Sequence, residues 1–129
     1  MRRILTAAAT LAALALAGPT SAHHSTNLSY EPGKFETYTG EFVRFRWINP
    51  HAVLEFNVVG ADGKKTLWYA ETHGSGVLGR AGWRPNMFKA GEKVTMSANP
   101  PRNPTAHAVH MFSVKGDSGK VWRVNAKEN

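Results

Sequence analysis

The chain has 129 residues, no cysteine and a formal charge of +7 at neutral pH. The missing thiols exclude disulfide staples, thiolate metal sites, iron–sulfur clusters and thiol catalysis. The length fits one small domain with a single compact core, and the positive charge favours anionic partners, or, being spread along the chain, serves solubility alone.

The first stretch, "MRRILTAAATLAALALAGPTSA", reads as a secretory signal. Arg2 and Arg3 form the positive start, Ile4 to Ala17 is almost wholly apolar, and Thr20 and Ala22 are the small residues before a cut. The apolar run is shorter than the roughly 20 residues of a membrane span. The expectation is cleavage after Ala22, a periplasmic or secreted product, and no transmembrane span in the mature form. Removing 22 of 129 residues leaves 107, and 14 basic residues then face nine acids, a charge of +5. The mature chain would begin His23-His24. Residues 23–37 are polar and turn-rich and read as an N-terminal arm, with residues 38–129 as a single β-barrel domain.

Period-two alternation begins at Tyr38. In "TGEFVRFRW", Val43, Phe45 and Trp47 share one face while Arg44 and Arg46 share the other. "INPH" interrupts this strand, because Pro50 lacks a donor and biases Asn49 away from helix. "AVLEFNVV" then aligns Ala52, Leu54, Phe56 and Val58; Asp62-Gly63 signals a hairpin; "TLWYAET" is a third strand. A short helix follows, with Ser75 as its cap and Gly82 at its end. "KVTMSA" is a fourth strand, "NPPRNPT" a proline-rich loop, "AHAVHMFSV" a fifth strand and "KVWRV" a short sixth. Three strands, a helix and two further strands is the order of an oligonucleotide/oligosaccharide-binding (OB) barrel. The expected class is therefore all-β: a small five- to six-stranded OB-like antiparallel barrel with one short helix between strands three and four.

Several of these stretches also resemble a family. "HHS", "TGEFVRFRWINPH", "LWYAET", "LGRAGW" and "FKAGEKVTM" are similar to an exported bacterial family, domain of unknown function family 6152. The more specific pieces are Trp47-x-Asn49-Pro50-His51, and Gly82-Trp83 followed by Gly91-Glu92-x-Val94. In "PPRNPTAH", Pro104 stands where that family typically has glycine. The resemblance implies a secreted, barrel-like domain and brings no catalytic residues.

Six histidines carry the functional argument: His23, His24, His51, His73, His107 and His110. A free N-terminal His23 offers its α-amine and its imidazole to one metal ion, and an amine pKa of about 7.7–8.0 makes deprotonation cheap. A third nitrogen would complete a tetragonal site suited to copper(II), with zinc second. His24 offers a second geometry through the amine and a deprotonated amide. The third ligand is expected from His51 at the Pro50 bend or from His107 at the loop edge. His107 and His110 are three apart in a strand and point to opposite faces, so they cannot chelate together. His110, aligned with Ala108, Phe112 and Val114, is expected to pack in or near the core.

No G-x-S-x-G, H-E-x-x-H or phosphate-binding glycine loop is present, so binding rather than catalysis is expected. Glu55 lies on the polar parity and is expected in solvent. Glu71, if inward, would need a partner such as Arg80 or Arg44. The alternative function is a non-catalytic module that binds an anionic glycan or a protein partner, through a ligand surface of Arg44, Arg46, Trp68 and Arg102. A nucleic-acid partner is not expected of an exported chain. The tryptophans equally suit the core of so small a barrel.

Overall fold

The computed structural model describes residues 26–125. The expected signal segment, His23 and His24 lie outside these residues.

Six strands form one sheet: β1 Glu36–Arg46, β2 Val53–Val59, β3 Lys65–Glu71, β4 Lys93–Asn99, β5 Ala108–Lys115 and β6 Val121–Arg123. The order is β3-β2-β1-β4-β5-β6, and a further pairing of β3 with β5 closes five strands into a barrel. All pairings are antiparallel except β3–β5, which is parallel, so the barrel is the predominantly antiparallel, OB-like one expected. One short helix, α1 Ser75–Arg80, lies between β3 and β4. Its N-cap is Gly74, not Ser75. Its C-terminus ends at Gly82, φ +89°, with Gly82 N–H donating to Gly79 and Trp83 N–H donating to Leu78. This paired closure at a left-handed glycine turns the chain sharply and delivers Trp83 into the core.

The core holds Leu54, Phe56, Leu78, Trp83, Val94 and Met111, all nearly inaccessible to solvent. Trp83 satisfies its indole N–H on the Arg123 carbonyl at 2.9 Å. On β2 the expected alternation holds, with Ala52, Leu54 and Phe56 buried. On β1 it slips. Phe42 pairs with Phe56 and Arg44 with Glu55, which leaves Val43 as an extra residue. Phe42 therefore enters the core ahead of the bulge, and Phe45 and Trp47 pack against the core after it. A second bulge follows Ser97↔Ser113, where Ala98 pairs with Met111 and leaves Phe112 over. It puts Val109, Met111 and Val114 inside. His110 is thereby turned away from the core face, contrary to expectation.

Candidate functional site

One end of the barrel collects the titratable side chains. Here the β1–β2 loop is zipped to the segment between β3 and α1. Ala52 N–H donates to the His73 carbonyl, Thr72 N–H to Ala52, and Ser75 N–H to Ile48. Asn49–Pro50 is a cis peptide. A Cβ on Gly74 would lie 2.5 Å from both Asn49 Oδ1 and the Pro50 carbonyl oxygen, so this close approach admits glycine alone. The parallel β3–β5 pairing sets Glu71 opposite His110. The bend thus supplies His51, the end of β3 supplies Glu71 and His73, and the start of β5 supplies His110.

The arm closes this end. Tyr30 bridges to Pro101, its hydroxyl donates to Glu71 Oε2 at 2.8 Å, and its ring stacks on His110 at 5.7 Å. The His110 ring in turn lies 6.3 Å from the nearly parallel His73 ring. His51 Nδ1 contacts Glu71 Oε1 directly. Arg102 holds the arm from the β4–β5 loop, its Nε donating to the Asn27 carbonyl and its N–H to that of Ser29.

The contact with Glu71 engages Nδ1 of His51 and leaves Nε2 as the ring nitrogen turned to other partners. That is the way a carboxylate orients a ligating histidine in metal sites. His73 Nδ1 is buried with no hydrogen-bond partner, as is Thr72 Oγ1. Burial pulls the His73 pKa below 6.5, and nearby His51 adds to the effect. Burial also lowers His110, with Glu71 opposing. Burial raises the Tyr30 phenol above its ordinary value, reinforced by its bond to Glu71. Among the described residues, no three His, Asp or Glu side chains are disposed to hold one metal ion.

The expected site residues therefore divide. His51 belongs to the cluster. His107 does not: its ring stacks on Trp68 at 5.3 Å. Trp68 and Arg102 line a groove of ≈ 490 Å³ with Tyr38, Pro100, Pro101 and Pro104. Arg44 and Arg46 lie elsewhere, both bound to Glu55, so the four-residue ligand surface is not one surface. Glu55 is not in solvent but 3% exposed, because the two arginine side chains cover it. Glu71 takes Tyr30 and His51 as partners, not Arg80 or Arg44. His73, following Glu71 and Thr72 at the end of β3, is open to joining a site from its spacing alone, whereas His110 and Tyr30 are not expected as cluster members. The β3–β5 pairing that closes the barrel brings His110 beside the end of β3, and Tyr30 comes with the arm through its bridge to Pro101.

Strands, helix and closure define an OB-like β-barrel, with an imidazole and carboxylate cluster at one end. No helix among the described residues is long and apolar enough to cross a membrane. The chain belongs to DUF6152, a family of unknown function whose profile matches residues 11–113. No curated protein and no solved structure matches it.

Proposed function

We propose that the protein is an exported binding barrel, released by cleavage after Ala22, that takes copper(II), with zinc second, rather than catalysing a reaction. The metal is held by the His23 α-amine and imidazole, with His24 beside them and His51 as the third nitrogen donor. The observation that carries this reading is the Glu71–His51 contact, which engages Nδ1 and leaves Nε2 of a side chain 38% exposed for a ligand. His107, committed to Trp68, yields its place to His51. The arm runs the right way for this. The Thr26 carbonyl accepts from Tyr30 N–H, Tyr30 reaches Glu71, and Glu71 touches His51. His23 lies three residues before Thr26, a span of at most about 10–11 Å. The orphaned His73 Nδ1 marks the same end of the barrel as short of a polar partner.

The test starts with the processed protein, its N-terminus checked by sequencing, and one equivalent of copper(II). Paramagnetic resonance should report nitrogen ligation in tetragonal geometry. One alanine added before His23 keeps every side chain but moves the amine, and affinity should fall at least about tenfold, or about 1.4 kcal/mol. His51→Ala should weaken binding while the fold persists, and His107→Ala should not. If the extended chain and the His51 variant both bind copper like the parent, the reading fails.

A further inference from the structure

A second constellation sits on the outer face of the barrel, away from the histidines. Cross-strand register sets Arg44, Glu55 and Tyr69 in one row across β1, β2 and β3. Arg46 lies two residues beyond Arg44 and so shares its face. Arg44 donates to Glu55 twice, from Nε to Oε2 at 2.8 Å and from Nη2 to Oε1 at 3.1 Å. Arg46 Nε reaches the same Oε1 at 2.9 Å. The carboxylate is 4% exposed while the arginine side chains are 66% and 42% exposed. The Arg46 guanidinium also lies 6.0 Å from the centre of the Tyr69 ring, which is itself 39% exposed.

A buried carboxylate beneath two exposed guanidinium groups does more than join two strands. Each arginine spends its Nε edge on Glu55, and the remaining donors of both forks stay on the solvent side. The long, flexible side chains are thereby fixed before any ligand arrives, which removes much of the ordering cost of binding. Two cations and one anion leave a local charge of +1. That suits a single oxyanion of the ligand. The exposed Tyr69 ring, with Leu67 on the same side of β3, offers an apolar face next to the charge.

We propose that Arg44, Arg46 and Tyr69 form a binding site for an acidic saccharide, its carboxylate or sulfate received by the paired guanidinium groups and its C–H face laid on Tyr69. Glu55 is the positioning residue that holds the pair. Trp68 and Arg102 take no part.

The experiment titrates the processed protein with hexagalacturonate, with neutral maltohexaose and inorganic phosphate as comparison probes. Hexagalacturonate should bind, weaken with added salt, and lose at least about tenfold in affinity in Arg44→Ala/Arg46→Ala and in Tyr69→Ala. Glu55→Gln decides between mechanisms. It adds one positive unit to the surface, so diffuse attraction would strengthen binding, whereas a positioned pair predicts at least about fivefold weakening. Should Glu55→Gln fail to fold, Arg44→Lys/Arg46→Lys keeps both charges but loses the forks, and the same weakening is expected. Tighter binding by Glu55→Gln, unchanged binding by the lysine variant, equal binding of maltohexaose, binding of phosphate alone, or no binding of hexagalacturonate would each overturn the proposal.

Discussion

Removing one oxygen atom, in Tyr30→Phe, asks whether the arm is part of the folded barrel. The Tyr30 side chain is 6% exposed, and its hydroxyl donates to Glu71 at 2.8 Å. A hydrogen bond to a charged group contributes about 1.5–3 kcal/mol net. Glu71 is 29% exposed, so water replaces part of the lost donor. The expected loss is therefore at the lower end, about 1–2 kcal/mol. Tyr30→Ala removes the ring stacked on His110 as well, and should cost about 3–5 kcal/mol in all. Urea unfolding measures both. At a slope of about 2 kcal/mol per molar, the phenylalanine variant should move the midpoint down by about 0.5–1 M. If the phenylalanine variant matches the parent, the hydroxyl contributes nothing to stability. If the alanine variant matches it too, the arm is not part of the cooperative unit, and the closure of the histidine cluster by Tyr30 fails with it.

Much of the barrel was legible because its strands are short, alternating and punctuated. Asp62-Gly63 and the prolines at 100, 101 and 104 place the connections, and Gly82 ends the helix. What pattern reading could not place were the two bulges. An extra residue leaves no mark in an alternation of apolar and polar side chains until the partner strand is known. At Val43 the slip only exchanges one apolar side chain for another, so the reading of β1 survives in part. At Phe112 it reverses the face of everything before it in β5. His110 moves out of the core by that reversal alone.

The candidate site was less legible, for a related reason. His51 stood out because a proline bend exposes it to notice. Glu71, His73 and His110 meet through a parallel pairing between strands separated by the helix, β4 and a proline-rich loop. Tyr30 arrives from a segment with no periodicity at all. Glu55 shows the limit of parity from the opposite side. Its position on the outer face of β2 was read correctly, but burial there comes from arginine stems and not from the core.

Two further outcomes test the packing and the electrostatics. Trp83→Ala should cost about 3–5 kcal/mol, because the ring is fully buried and its N–H is paired; Trp47→Ala, half-buried and edge-on to Phe45, should cost clearly less. Equal urea midpoints for the two variants would refute that ranking. The last outcome concerns pH. His73 and His110 both have folded pKa values held below the ordinary 6.5, chiefly by burial. Between those folded values and 6.5 the unfolded chain therefore binds more protons than the folded one. The sign follows: the contribution is intact above about pH 6.5 and is lost as pH falls below it, until the folded values are passed. The urea midpoint should thus drop between about pH 7 and about pH 5, before most carboxylates titrate. His73→Asn/His110→Asn, which cannot take up protons, should flatten this slope relative to the parent. A parent whose midpoint is constant across that window, or a double variant with an unchanged slope, would show that the two imidazoles do not protonate at a cost to the fold.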